Sequence, residues 1–257
     1  MASTQGQFVW FECMNRDNEA AKAFYPKVVG WSLMKFDGPF DYWMFAGEGG
    51  PIGGTIDLRD DPAGASAPCA WMVYVGADDA DATAARAKEL GGSVLAGPID
   101  IPGVGRMYVI ADPQGAVFSL HQSASPDYAG PPAETPMGGI AWVEVLSKDQ
   151  ATAWPFYEQL FGWETATVMD MGAMGPYRVF GKGGRNLGGM MNAHADYGPP
   201  RLRSYARVPN IDTAVAATAT CGGKVVMGPH EVPGGDKIAV IIDNQGIEFA
   251  MVENAAK

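Results

Sequence analysis

Hydrophobic and polar residues alternate over residues 7–14 (QFVWFECM), which puts Trp10, Glu12 and Met14 on one side of a strand and Val9, Phe11 and Cys13 on the other. An alanine-rich stretch follows over residues 17–28. Asp17 is placed to cap it as a helix, Phe24 falls on its buried side, and Gly30 is placed to close it. Pro26 is expected to shorten or kink the last turn. Strand-like patterns cover residues 31–36, 42–46 and 52–57, separated by glycine-rich turns, and another covers residues 70–75 (AWMVYV). Asp79 or Asp81 opens a second alanine-rich helix that runs to residue 90 and stops at Gly91-Gly92. Strands at 93–96, 106–111 and 116–121 complete the series. The order strand, helix, three strands thus occurs twice before residue 123.

The whole series then starts again. Trp10-Phe11-Glu12 recurs as Trp142-Val143-Glu144, Phe24-Tyr25 as Phe156-Tyr157, and Gly30-Trp31 as Gly162-Trp163. Further on, Gly53-Gly54 recurs as Gly188-Gly189, Gly91-Gly92 as Gly222-Gly223, Pro102-Gly103 as Pro233-Gly234, and Asp112 with Gly115 as Asp243 with Gly246. The pattern predicts an α+β chain of two homologous tandem domains, residues 1–123 and 138–257. The intervening residues 124–137 are rich in Pro and Gly and lack periodicity, as an extended linker does.

Composition narrows the partners. Hydrophobic residues make up 47% of the 257 and charged ones only 18%, enough apolar material for packed cores. The 18 Lys and Arg face 29 Asp and Glu, a formal charge of -11 that disfavours nucleic acid and anionic membrane surfaces. No apolar run approaches the roughly 20 residues that cross a bilayer, and the first residues do not read as a targeting segment, so a cytoplasmic protein is expected. Cys13, Cys69 and Cys221 form no metal or disulfide pattern. Residues 47–54 and 181–189 are glycine-rich, but without a Walker lysine or a following helix they read as hairpin turns.

The order of elements, with the segments AAKAFYPKVVGW, DADATAARAKELGG and IPGVGRMYVIADPQGAVFSL, resembles the vicinal oxygen chelate superfamily of glyoxalase I, bleomycin-resistance proteins and extradiol dioxygenases. The resemblance covers nearly the whole chain and is to the tandem glyoxalase-like members. It implies that two βαβββ modules pair in each domain into a curled, eight-stranded, funnel-like sheet whose concave face takes a small molecule. It also implies positions for metal ligands. Carried onto this chain, they fall on Trp10, Met72, Ser119 and near Thr55 in the first repeat, and on Trp142, Arg203, Ala250 and near Met190 in the second. Those side chains suit no such ion, so neither metal nor other cofactor is expected. A shifted site built from Glu12 and Asp57, or from Glu144 and His194, is the remaining metal alternative. His121 near a strand end and His230 in a loop read as surface residues.

Glu12 and Glu144 are the candidate catalytic residues, each on the strand face that carries a tryptophan. A carboxylate there is either a general base or a structural group held by a hydrogen bond. Trp10 and Trp142 are core filler or planes for a flat ligand. Tyr42 and Tyr177 are candidate donors to a ligand carbonyl, and Arg106 and Lys237, equivalent in the two repeats, are candidate cations for an anionic oxygen. The leading functional expectation is a metal-independent isomerase or lyase acting on a small, aromatic or carbonyl-containing molecule. A non-catalytic binding protein of the bleomycin-resistance type is the alternative, and a metal-dependent glyoxalase or dioxygenase is the third. The chain is expected to be a monomer or a homodimer.

Overall fold

The computed structural model describes residues 3–38, 42–60, 66–128, 130–193 and 198–255. In the first repeat β1 (Phe8–Asn15), α1 (Asn18–Val29), β2 (Ser32–Lys35), β3 (Trp43–Gly47) and β4 (Gly50–Asp57) form one module. The second module is β5 (Ala70–Gly76), α2 (Ala80–Glu89), β6 (Ser93–Ile101), β7 (Gly105–Ala111) and β8 (Val117–Ser123). The second repeat begins with β9 (Ile140–Ser147), α3 (Gln150–Phe161), β10 (Glu164–Asp170), β11 (Pro176–Lys182) and β12 (Arg185–Asn192). It ends with β13 (Arg201–Arg207), α4 (Ile211–Thr220), β14 (Lys224–Glu231), β15 (Lys237–Ile242) and β16 (Glu248–Glu253). Each repeat contributes one eight-stranded mixed sheet, with orders β2-β3-β4-β1-β5-β8-β7-β6 and β10-β11-β12-β9-β13-β16-β15-β14. The two orders are identical, as the repeated pattern requires.

Local chemistry explains the boundaries. The Asp17 carboxylate accepts the Ala20 amide at 3.0 Å, and Gly30 closes α1 with a left-handed φ of 86°. Pro26 does not shorten α1, which continues to Val29, and its carbonyl accepts the Gly30 amide at 3.1 Å. A proline one turn from the end removes a single amide bond and leaves its own carbonyl free for the cap. His230 lies in β14 rather than in a loop, paired with Ile238 of β15 beyond an irregularity in the ladder after Met227. The glycine-rich stretches are not merely turns, since Gly53-Gly54 and Gly188-Gly189 lie inside β4 and β12.

The chain condenses into two compact units that do not coincide with its two repeats. One gathers Met1–Trp10, Val73–Pro132 and Trp142–Leu202; the other gathers Phe11–Met72, Ala133–Ala141 and Arg203–Lys257. Each unit therefore combines α-helical and strand modules from both repeats. In the second of these units α1 lies against α4, and the fully buried Tyr25 hydroxyl donates to the buried Asp243 carboxylate at 2.8 Å. Trp71 Nε1 donates to the same phenol oxygen at 2.8 Å, and Trp31 Nε1 donates to the Gly138 carbonyl at 2.6 Å. In the other unit α2 meets α3, Tyr157 donates to Asp112 at 2.9 Å, and Trp163 Nε1 donates to the Gly6 carbonyl at 2.7 Å. The second oxygen of each aspartate holds its own hairpin, Asp112 through the Gln114 and Ala116 amides and Asp243 through those of Gln245 and Ile247. Burial makes the phenols of Tyr25 and Tyr157 much harder to ionise than usual, so both remain donors.

Two outcomes follow from this packing. Tyr25→Phe keeps the ring but leaves a buried carboxylate short of one donor, which should cost about 2 kcal/mol in urea unfolding; a loss below about 0.5 kcal/mol would contradict the role assigned to the bond. Residues 1–123 and 138–257, expressed separately, should fold only on mixing or self-association, seen as concentration-dependent circular dichroism. A stable folded monomer of either piece would show that its aspartate and tyrosine need no partner.

Candidate functional site

The register of the strands decides which side chains share a face. Asn15 donates to Asn18 at 3.1 Å and to Thr55 at 2.6 Å, so Asn15, Cys13 and Thr55 lie on the side of the sheet that carries α1. Trp10, Glu12 and Met14 point to the opposite, helix-free side. On β4 the residue level with Glu12 is Gly54. The Tyr42 hydroxyl lies directly over Gly54 and donates to Glu12 Oε2 at 2.7 Å. Glu12 is 7% exposed, and its charge also reaches Cys13, whose thiol is pushed up by burial first and then by Asp243.

The second repeat builds the same face from the equivalent residues. Trp142 and Glu144 share a side of β9, and Gly189 is level with Glu144. The Tyr177 hydroxyl lies over Gly189, and its oxygen accepts a hydrogen bond from Trp142 Nε1 at 2.9 Å. Trp142 and Tyr177 are half-buried and Glu144 is buried.

Arg106 and Lys237 do not join these groups. Arg106 donates to Asp100 at 2.8 and 2.9 Å and to Asp81 at 2.6 Å, and Asp81 also accepts from Tyr108. Asp81 belongs to α2, so Arg106 faces the helix, and the bonds to Asp100 and then Asp81 hold its guanidinium more firmly charged. Lys237 is exposed at the start of β15, level with Glu231 and Glu253, on the strand side it shares with the buried Ala239 and Ile241. Sequence spacing could not separate the two faces here, because the equivalence of Arg106 and Lys237 says nothing about which way either points.

The structure adds Glu248, Tyr205 and Tyr74, which the sequence pattern did not single out, beside positions that the resemblance had marked. Phe249 packs against Tyr25, so Glu248 and Ala250 turn to the helix-free side of β16, with Ala250 level with Tyr205 of β13. There Arg203, 8% exposed, grips Glu248 in a two-pronged ion pair of 2.9 and 3.1 Å. On β8, Phe118 packs against Tyr157, which turns Ser119 and His121 to the helix-free side with Tyr74. His121 is half-buried rather than a surface residue, and burial lowers its basicity.

This geometry tests the metal expectation. Thr55 and Met190, placed near the fourth-strand position, lie on the helix side by register, and the helix-free positions are Gly54 and Gly189. Asp57 is level with Asn15, hence on the side opposite Glu12, and Arg59 binds it at 2.6–3.1 Å and holds its carboxyl below the usual carboxylate range. Glu12 and Asp57 therefore do not share a face. His194 lies outside the described residues. Indole, thioether, hydroxyl, methyl and a guanidinium already paired with a carboxylate are a poor donor set for a divalent ion. Among the described residues no three His, Cys, Asp or Glu side chains group closely enough to hold one. The residues present do not fit the metal of the superfamily that the sequence resembles.

Comparison with known proteins agrees with the repeat. A putative glyoxylase, CFP32, of Mycobacterium bovis is 30% identical over 253 residues, covering 98% of this chain and 96% of the relative. The anthracycline biosynthesis protein DauV of a Streptomyces species is 28% identical, covering 96% of this chain and 93% of its own length. Among solved structures, the Mn(II)-bound glyoxalase of Novosphingobium aromaticivorans is similar over 99% of this chain and 83% of its own, with a TM-score of 0.63 at 17% identity. Homoprotocatechuate 2,3-dioxygenase of Arthrobacter globiformis is similar over 99% and 81%, with a TM-score of 0.67 at 14% identity, a likeness of fold. The family profile for the glyoxalase, bleomycin-resistance and dioxygenase proteins matches residues 7–120 and again 139–251. With both repeats matched in full and the strand order of each sheet the same, the chain belongs to the Glyoxalase/Bleomycin resistance protein/Dioxygenase superfamily.

Proposed function

We propose that the protein is a metal-independent isomerase or lyase in which Glu12 takes a proton from a small carbonyl-containing or aromatic molecule. The observation that carries this reading is the 2.7 Å hydrogen bond from Tyr42 to Glu12 on the helix-free face of β1. A carboxylate that is 7% exposed and faced by a phenol can accept a proton from an activated carbon, and once Glu12 is neutral the one proton of Tyr42 is released to turn to the oxygen where the charge of an enolate develops. Glu144, Trp142 and Tyr177 form the equivalent set in the second repeat, and Trp10 supplies the aromatic plane in the first. Arg106 and Lys237 are less suited to the role, one held by carboxylates and the other exposed.

The half-buried Trp142 and Tyr177, joined by their own hydrogen bond, favour a second reading in which the second repeat holds a flat ligand without chemistry. The likeness to an anthracycline biosynthesis protein supports a polycyclic aromatic ligand for either reading.

Wash-in of solvent deuterium at the acidic carbon of a panel of α-hydroxy ketones and hydroxyquinones, followed by NMR, tests the proposal. Glu12→Gln keeps the shape and removes the base, so wash-in should fall at least ~100-fold with the melting temperature nearly unchanged. Equal exchange in Glu12→Gln and the parent, with exchange lost in Glu144→Gln, would move the chemistry to the second repeat. Treatment with a strong chelator should leave both the wash-in rate and the melting temperature unchanged, since neither rests on an ion. A drop restored by one divalent metal would return the protein to the metal-dependent class.

A further inference from the structure

Glycine inside a strand costs backbone entropy and packs nothing, so a pair of them in the middle of β4, repeated in β12, calls for a physical reason. The first of each pair has one in the backbone. A methyl group built on Gly53 would overlap the Phe11 carbonyl, and one built on Gly188 would overlap the Val143 carbonyl. These are close approaches between parallel neighbours, β4 with β1 and β12 with β9. The second of each pair is different. A methyl group on Gly54 would overlap the hydroxyl of Tyr42, and one on Gly189 the hydroxyl of Tyr177, with the adjoining ring carbons next. No backbone atom is among the nearest three at either position.

We propose that Gly54 and Gly189 are positioning residues that seat a tyrosine hydroxyl where the fourth strand would otherwise present its own side chain. This rests on the reading of the Glu12 face as the working site. Gly54 is level with Glu12 and Gly189 with Glu144, so the vacated place adjoins the carboxylate in both repeats. The phenol that fills it arrives from the segment leading into β3 or from β11, and its oxygen reaches the strand floor only because nothing stands on the glycine. In the first repeat the seated hydroxyl donates to Glu12 at 2.7 Å; in the second the seated oxygen accepts from Trp142 at 2.9 Å. The position at which the resemblance placed a fourth-strand group is thereby given to a phenol, a neutral proton donor and acceptor. The glycines set the specificity of the face as well, because any side chain there would displace the phenol and leave the carboxylate with a different neighbour.

The test needs no ligand, so its failure is separable from failure of the deuterium wash-in. The side-chain carboxyl carbon of Glu12 and the indole N–H of Trp142 are followed by NMR in Gly54→Ala, Gly189→Ala, Tyr42→Phe and the Gly54→Ala/Tyr42→Phe pair. Gly54→Ala should move the Glu12 carboxyl signal in the same direction and to a similar extent as Tyr42→Phe, and the pair should move it no further. Gly189→Ala should move the Trp142 indole signal and leave that of Glu12 in place. A Glu12 signal unmoved by Gly54→Ala, or effects that add in full in the double variant, would overturn the proposal by showing that Gly54 acts through the backbone. Should Gly54→Ala not fold, Gly54→Ala/Tyr42→Ala decides, because removing the ring removes the clash. Recovery of the folded state supports the proposal, and continued failure to fold overturns it.

Discussion

One buried hydrogen bond, made twice, organises this molecule. A tyrosine from a helix in one repeat donates to an aspartate in a hairpin turn of the other, Tyr25 to Asp243 and Tyr157 to Asp112. A carboxylate buried without donors would be strongly unfavourable, and each of these receives two backbone amides from its own turn and a phenol from the opposite repeat. Turn geometry and helix docking are thus satisfied by the same residue. The indoles of Trp31 and Trp163 reinforce the arrangement by bonding to Gly138 and Gly6, the residues that lead into the first strand of the opposite repeat.

This explains why certain motifs recur and others have diverged. Phe-Tyr, Gly-Trp and the Asp turn are the parts of the interlock, and a change in any one strands a buried polar partner. Contacts that are only locally satisfied vary freely while keeping their physics. Lys22 lies 4.4 Å over the Trp43 ring in the first repeat, and at the equivalent places Arg178 lies 4.8 Å from the Trp154 ring, the cation and the ring having changed places between helix and strand. The helix-free faces diverge further. Ser119 and His121 on β8 correspond to Ala250 and Val252 on β16, and Arg203 with Glu248 has no charged counterpart at Met72 and Val117. On the other half of the same faces the residues recur, Trp10, Glu12, Tyr42 and Gly54 as Trp142, Glu144, Tyr177 and Gly189.

The helix-free face of each repeat depends on what the strands omit. Gly54 and Gly189 present no side chain, and in their place the Tyr42 and Tyr177 hydroxyls reach the level of Glu12 and Glu144. A fold whose relatives include a manganese-bound glyoxalase here carries phenol, carboxylate and indole on the same surface.

Period-two alternation in QFVWFECM was enough to put Trp10, Glu12 and Met14 on one face, because side-chain direction along a strand is a purely local property. Helix caps at Asp17 and Asp79 and the left-handed glycine at Gly30 were legible for the same reason: each is settled by neighbours in the chain. The repeat and its order of elements followed from motif succession alone. Local information stopped at register and at contacts between distant segments. Thr55 or Gly54 as the inward residue of β4 is a one-residue difference that reverses the side chain, and only pairing with β1 decides it. Arg106 was a candidate partner for an anionic oxygen, and α2 brings Asp81 to it, while Arg203 closes on Glu248 from 45 residues away, a pairing that no local pattern carries. The repeats themselves read as separate domains, yet Tyr25 and Asp243 lie 218 residues apart and share one core. Alternation, capping and turn chemistry act over a few residues and are written in order, whereas register, burial and ion pairing depend on which segments meet, a choice made by the packing of the whole chain.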